Sequence, residues 1–300
     1  MDLFKESENV VIFKVDRDDL DLEEFLVTKD LSGRLFRRLY KEKNIYINGK
    51  FRRKGLKLEK GDIVSIYMGD EEENTSPEKI DIDIVYEDFD LLILNKQPNI
   101  VVHPTKSHQE NTLSNGISYY FKEKGIKKKI RFVNRLDMNT TGILIVAKNS
   151  FAHQQMALQF ESNIVEKKYQ AIVKGRVEKQ EDYIDLPIGR EEEKSIRKAI
   201  KEEGQEALTK YSVIERYEDA TLLDIQIFTG RSHQIRVHLN HIGHPIIGDT
   251  LYDEESTQIH RQALHSYYLK IKHPRTKEYI EFIAPLPRDM EELINHLKDK

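Results

Sequence analysis

The chain has 300 residues, 38 % of them apolar, enough for two domains with separate cores. It has no cysteine, which excludes disulfides, thiolate metal sites, iron–sulfur clusters and a cysteine nucleophile. The longest apolar run, Ile143 to Ala147, is too short to span a bilayer, and the first residues are too charged for a secretory signal. The glycine loops that cradle nucleotide phosphates, G-x-G and G-x-x-x-x-G-K-S/T, do not occur. A cytoplasmic protein without a membrane partner is the expectation.

The net charge of −4 hides strong segregation. Residues 1–28 hold three Lys/Arg against nine Asp/Glu, whereas residues 29–60 hold twelve against three. A second basic block, Lys122 to Arg135, has seven cations and one Glu. A charge run alone is usually a solvated face, but two dense basic blocks in an acidic chain suit a polyanion. Ser32 can cap a helix whose one stripe carries Arg34, Arg37, Arg38 and Lys41, with Leu35, Phe36, Leu39 and Tyr40 opposite. A strand at Ile45–Ile47, an Asn48-Gly49 turn with Lys50, Arg52, Arg53 and Lys54, and a strand at Ile63–Met68 follow. A basic helix beside a basic hairpin fits a duplex RNA backbone.

Residues 13–69 resemble the small S-four-type RNA-binding domain. The resemblance lies in Leu20-Asp21…Phe25-Leu26, Ser32, Arg34, Ile45-x-Ile47-Asn48-Gly49 and Leu58…Gly61-Asp62-x-Val64. Residues 70–79, DEEENTSPEK, read as a linker, which leaves 80–300 as the second domain. There, Ile80, Ile82 and Ile84 alternate with aspartates as a half-buried strand, and Leu91–Leu94 reads as a buried one. Further strands are expected at 142–147, 169–173, 222–228 and 279–284, and helices at 150–160, 232–242 and 289–297. Strands and helices do not alternate regularly. The fold class expected is therefore α+β, with a mixed, largely antiparallel sheet behind the small first domain. Residues 190–206 read as an exposed loop.

The chemistry concentrates in two segments. In RFVNRLDMNTTGILIVAKN, Asp137 stands at the mouth of a buried strand, either as a cap or ion-pair partner or as a catalytic carboxylate. In TGRSHQIRVHLNHIGHPIIGD, a helix starting at Ser232 would bury Ile235, Leu239 and Ile242 and align His233, Arg236 and Asn240 on a polar stripe. His238, His241 and His244 lack an H-E-x-x-H partner, His233 five residues earlier diverges from His238 by about 140° around the helix, and Gly243 and Pro245 end the helix near His244, so no metal is expected.

The motifs then converge on one resemblance. Asn134-Arg135-Leu136-Asp137-Met138-Asn139-Thr140-Thr141-Gly142 resembles the catalytic H-R-L-D-x-x-T-S/T-G motif of the RluA family (RluD-like) of pseudouridine synthases. Asn95 to Pro104 is similar to its N-K-P-x-G-x-x-V-H-P motif, Glu166 to Ala171 to its K-x-Y-x-A strand, and Gly230 to His238 to G-R-T/S-H-Q-I-R-V-H. Asn134 replaces a His, and Gln97 and Asn99 interrupt the first motif.

The resemblance implies isomerisation of uridine in RNA without metal or cofactor. Asp137 would attack the ribose or abstract a sugar proton. Arg236 is expected to pair bidentately with Asp137, since arginine keeps its charge. Tyr169 would stack on the base, and Arg135 would either fill the vacated stack or contact phosphate. Arg231, His233, Asn95 and Lys96 are expected at the substrate. Large-subunit ribosomal RNA is the expected partner, with tRNA as the alternative, and the chain is expected to act as a monomer. A non-catalytic RNA-binding module would need only the basic surfaces, and a glycosidase would need a second acid beside Asp137. The second domain is expected to fold without the first.

Overall fold

The computed structural model describes every residue except Met1, Lys54, Leu56, Lys106, Ser107, Lys194 and Lys300, so Lys54 of the basic hairpin lies outside the described residues. The front part contains β1 (Val10–Lys14), β2 (Leu20–Asp21), α1 (Leu22–Thr28), α2 (Gly33–Lys41), β3 (Ile45–Ile47), β4 (Lys50–Phe51), β5 (Lys57–Leu58) and β6 (Ile63–Tyr67). Four strands form one sheet in the order β1-β6-β3-β4. The Ser32 hydroxyl accepts from the Leu35 amide at 3.2 Å, which starts α2 where the sequence places it. Leu35, Phe36 and Leu39 are buried, and Arg34, Arg37, Arg38 and Lys41 are exposed. Asn48 and Gly49 both take positive φ, the geometry of a tight hairpin turn, and leave Arg52 and Arg53 exposed behind it.

The second part opens with β7 (Asp83–Glu87), β8 (Leu91–Lys96), α3 (Leu113–Lys124), β9 (Arg131–Phe132), β10 (Thr141–Ala147) and α4 (Ser150–Glu161). It continues with β11 (Glu166–Lys174), β12 (Glu181–Asp185), β13 (Ile188–Arg190), β14 (Lys198–Ile200), β15 (Leu208–Arg216) and β16 (Ala220–Ile227). Last come α5 (Gln234–His241), β17 (Leu264–Lys272), β18 (Tyr279–Ile283) and α6 (Arg288–Lys298). A ten-stranded sheet runs β12-β15-β16-β11-β17-β10-β8-β7, with β18 on β17 and β9 on β10. All its pairs are antiparallel except β10 with β17. The fold is thus α+β with a mixed, largely antiparallel sheet. Among the described residues no helix is long and apolar enough to cross a membrane.

Three local expectations change. β7 begins at Asp83, because Ile80 and Ile82 pack against Gly116 of α3 instead of pairing, with only 3.1 Å between Ile80 Cβ and the place a Gly116 Cβ would take. α5 begins at Gln234 and not Ser232, because His233 takes φ 57, outside the helical region. Within 190–206, Lys198–Ile200 pairs antiparallel with Ile188–Arg190, so the expected loop is a hairpin.

The two halves of the large sheet meet at a short seam, where Thr141 pairs with His265 and Gly142 with Ser266. Gly142 has φ 108, and a Cβ there would lie 2.1 Å from the Ser266 carbonyl oxygen. Only glycine lets β10 come this close to β17 directly after the Asp137 turn.

Residues 70–79 form no helix or strand but are bonded along their length. The Glu71 amide donates to the Lys127 carbonyl at 2.8 Å, the Ser118 hydroxyl to Thr75 at 2.7 Å and the Asn115 amide to Ser76 at 2.8 Å. Phe151, on α4, completes the hydrophobic core of the front part. The 70–79 segment thus packs against the second part, while Phe151 reaches into the first.

Two outcomes follow from this packing. Gly142→Ala should lower stability by about 3 kcal/mol or more, seen as a fall in the thermal midpoint or as insoluble protein. Asp88, in the β7–β8 turn, resists ionisation through burial. Bonds from His273, the Leu91 and Asp90 amides and Tyr86 outweigh that, holding the carboxyl down at about 2. A depressed carboxyl stabilises the fold above its unfolded value near 3.8 and loses that contribution as pH falls toward 2. Acid titration of stability should therefore show a loss of about 2 kcal/mol in this window that Asp88→Asn removes.

Candidate active site

Asp137 sits in the turn that feeds β10, at the seam between the sheet halves. Its side chain is about one-fifth exposed. Arg236 reaches it from α5, with Nη1 donating to Asp137 Oδ2 at 2.8 Å. The other side of the guanidinium forms a fork with Asp249, Nε to Oδ2 and Nη2 to Oδ1, both at 2.7 Å. The two-point contact expected with Asp137 is therefore made with Asp249, because Asp249 lies deeper and faces the flat edge of the guanidinium. Burial works against the charge of Arg236, but the bonds and fields of Asp249 and Asp137 outweigh it and keep it protonated. The Tyr252 ring covers the guanidinium at 5.1 Å from the ring centre.

His233 is the left-handed residue before α5. Its Nδ1 bonds to the Tyr252 hydroxyl at 2.9 Å, and its Nε2 lies 3.8 Å from Asp137 Oδ2. Burial lowers its pKa, with Arg236 adding to that and Asp137 opposing it, so the ring is neutral at pH 7. Tyr169, on β11, is 7 % exposed, and burial pushes its phenol up to about 12. Asp137 adds to that rise, and a hydrogen bond with Ser266 opposes it.

Asp137, Tyr169, Arg135, Arg231 and His233 line one cleft of about 530 Å³, with Phe160 and Lys167 on its far wall. Arg135 is exposed at the mouth. Arg231 is held by a bond from Nε to the Glu206 carbonyl at 2.9 Å. A second cleft of about 640 Å³ opens on the other flank of Asp137, where Arg190, Ser195 and Lys198 of the hairpin face Arg236. Asp137, the guanidinium bonded to it and the Tyr169 ring thus share a concave, partly buried site. Among the described residues, Glu161 in the first cleft is the one acid besides Asp137 that lines either of the two.

Comparison with known proteins agrees with this geometry. Residues 90–241 match the family model described as RNA pseudouridylate synthase. The chain belongs to the RNA pseudouridine synthases. It is 38 % identical over 284 residues to the RNA pseudouridine synthase YlyB of Bacillus subtilis, itself uncharacterized, covering 92 % of this chain and 94 % of that one. It is 33 % identical over 272 residues to the ribosomal large subunit pseudouridine synthase D of Buchnera aphidicola, covering 85 % and 86 %. Among solved structures, human RNA pseudouridylate synthase domain containing 1 superposes with a TM-score of 0.59 at 26 % identity, over 74 % of this chain and 97 % of that one. The synthase is an isomerase of the RluA type.

Two residues expected at the substrate are elsewhere in the synthase. Lys96 is 1 % exposed, and its ammonium donates to the carbonyls of Gln97, Met138 and Thr140 at 2.7 to 3.0 Å. Burial, with Arg261 adding, pulls its pKa down to about 7, while Asp137 opposes the fall. It holds the Asp137 turn from beneath. Asn95 donates to Asp83 across the β7–β8 pair at 2.9 Å and lines neither cleft.

The departures from the family motifs also have local partners. Asn134 accepts from the Ile145 amide at 2.8 Å and donates to the Ile143 carbonyl at 3.3 Å, clasping β10. Asn99 takes φ 59, a left-handed position that asparagine tolerates. His238 bonds through both ring nitrogens, to Thr209 and the Leu186 carbonyl, each at 2.9 Å, and His244 bonds the Lys174 carbonyl at 3.0 Å. The described residues contain no group of three or more His, Asp or Glu arranged to hold a metal.

Sequence reasoning missed Asp249, Tyr252 and Arg261. Arg261 is paired with Asp289 at 2.6 Å and donates to the Asn139 carbonyl at 3.2 Å, a second cation under the Asp137 turn. The available signal was Gly248-Asp249. Gly248 has φ 78, and its absent Cβ would meet the Arg261 carbonyl oxygen at 2.2 Å.

Replacing Arg236 by Lys keeps one charge but breaks the fork and strands Asp249, a carboxylate 1 % exposed. Turnover should fall about a hundredfold or more, with a stability loss of about 3 kcal/mol in a denaturant melt. Near-normal activity in folded Arg236→Lys would show that the fork is dispensable.

Proposed function

We propose that the synthase converts specific uridines of large-subunit ribosomal RNA to pseudouridine, with Asp137 as the catalytic carboxylate. The observation that carries this is the ionic contact of Asp137 with a guanidinium already clamped by a deeper acid. Arg236 cannot swing away to neutralise substrate phosphate, so Asp137 keeps a fixed orientation and a compensated charge inside a partly buried cleft. The ribosomal target is supported by relatives named for the large ribosomal subunit. RNA as substrate and the cysteine-free composition fit a cytoplasmic enzyme.

The reaction is an internal exchange. The bond from ribose C1′ to uracil N1 breaks, a bond from C1′ to C5 forms, the C5 hydrogen leaves as a proton, and N1 ends protonated. Asp137 either takes C1′ as a transient ester or removes a ribose proton. In both routes the freed uracil must be retained, and a pocket floored by Tyr169 and closed by Arg135 retains it. With its phenol raised to about 12, Tyr169 enters the cycle protonated and serves as a stacking floor. Arg135, exposed at the mouth, fills the stack that the uridine leaves. Arg231 and His233 contact the substrate from the second wall.

In the front part, the resemblance to the S-four-type domain and the exposed cationic stripe of α2 support RNA binding by Arg34, Arg37, Arg38, Lys41, Arg52 and Arg53. Arg38 is shared, since its Nη2 also donates to Ser150 at 2.7 Å.

The direct test is release of tritium from RNA labelled at uracil C5. Asp137→Asn keeps shape and one acceptor but loses the nucleophilic charge. It should abolish release while leaving RNA affinity within a few-fold. Sustained turnover by this variant, with deamidation excluded, would falsify the assignment of Asp137.

A further inference from the structure

Three cations join the front part to the catalytic part through buried bonds. Arg275, 6 % exposed at its side chain, forks onto the fully buried Asp90 at 2.7 and 3.0 Å. Its remaining N–H groups donate to the Val10 carbonyl at 2.7 Å and the Ser7 carbonyl at 2.9 Å. Lys148, 2 % exposed, bonds Glu8 at 3.0 Å and Glu87 at 2.9 Å. Lys128, equally buried, donates to the Gly69 carbonyl at 2.6 Å and to Asn9. Beside them Phe151 enters the front core, and Gln155 donates to the Asp30 carbonyl at 3.0 Å.

Domains joined by a polar linker move relative to one another unless the contact is large or expensive to break. Separating this contact strips Lys128 of its Gly69 and Asn9 bonds and Arg275 and Lys148 of their front-part acceptors, although Asp90 and Glu87 stay with the latter two. Helix α4 then runs from the contact to the cleft. Ser150 at its start accepts from Arg38 on the cationic face of α2, and Phe160 and Glu161 at its end line the cleft of Asp137. Eleven residue steps make it a strut of about 17 Å.

We infer that the synthase selects its uridine by distance. The cationic face of α2 is held at a fixed separation from Asp137, so the enzyme modifies the uridine that lies one set distance from the RNA duplex that α2 grips. Arg275 is the positioning residue that fixes this separation. The inference rests on the proposed RNA isomerase function, and the RNA class beyond a duplex next to an accessible uridine is not part of it.

The test has two arms. The chain has no cysteine, so Glu59→Cys and Glu218→Cys, both exposed, take one spin label each. The label-to-label distance distribution should be narrow in the parent and broad in Arg275→Ala. A broad parent distribution, or an unchanged variant, overturns the ruler whatever the activity. The second arm measures tritium release from hairpins whose target uridine is moved in single base-pair steps from the stem. The parent should show a sharp optimum. Arg275→Ala should flatten it and lose about tenfold in kcat/KM there, with kcat on a short single-stranded oligonucleotide unchanged. Where Arg275→Ala does not fold, Glu8→Ala/Asn9→Ala removes the front-part side-chain partners of Lys148 and Lys128 and should flatten the optimum likewise. Turnover with no distance optimum sinks the ruler alone. No turnover of any RNA sinks the catalytic reading and the ruler with it.

Discussion

The site depends on one buried guanidinium shared between two carboxylates. Arg236 contributes its fork edge to Asp249 and a single remaining N–H to Asp137. The asymmetry matters chemically. A carboxylate held on both oxygens by a guanidinium has little lone-pair density left to offer, whereas Asp137 is held on one oxygen only and its other oxygen is free of that partner. Asp249 takes up the strong contact, so Arg236 fixes the orientation of Asp137 without quenching it. Tyr252 closes over the guanidinium, links to His233 through its hydroxyl, and so joins the base of α5 to the same unit.

That arrangement requires the Asp137 turn to be rigid, and the turn is carried by cations rather than by apolar packing. Lys96 collects the carbonyls of Met138 and Thr140, and Arg261 collects that of Asn139 between them. Three successive carbonyls pointing into the protein would each carry a desolvation cost without donors. The buried side chains of Lys96 and Arg261 satisfy all three. Gly142 then brings β10 against β17 within two residues of the turn, so Asp137 is positioned from the sheet seam and from below together.

The site was legible in the sequence to the extent that its chemistry is local. Asp137, Arg135 and Tyr169 stand in short motifs, and the α5 stripe placed Arg236 toward the same cleft. What was not legible is which partner each cation takes. Lys96 and Asn95 adjoin each other in a motif, yet one is buried under the active site and the other faces Asp83 in the opposite strand. Their alternation on β8 separates them, and a motif carries no direction. Asp249 was overlooked because it lies thirteen residues from Arg236, beyond the reach of helix periodicity, in a turn set by Gly248. The strands β12, β15 and β17 and the helix α3 went unread as well. β15 and β17 alternate polar and apolar residues only imperfectly, and α3 buries Ser114, Asn115 and Ser118 against the 70–79 segment, so polar residues occupy its inner face.

The same lesson applies to the basic blocks. Read as sequence, Lys122 to Arg135 is one cationic surface. In the fold it divides: Lys122, Lys124, Lys127, Lys129 and Arg135 face solvent, while Lys128 turns inward and Arg131 pairs with Glu71. The bonds of Lys128 go to the Asn9 side chain and the Gly69 carbonyl, at the edges of two acidic segments that the sequence presents as an unrelated charge excess. Glu8 and Glu71 of the acidic flanks are therefore partners of Lys148 and Arg131 in the catalytic part, while the α2 stripe stays exposed. A chain with a net charge of −4 can still present a cationic face, because its basic residues concentrate on one stripe of α2 and on the hairpin beside it.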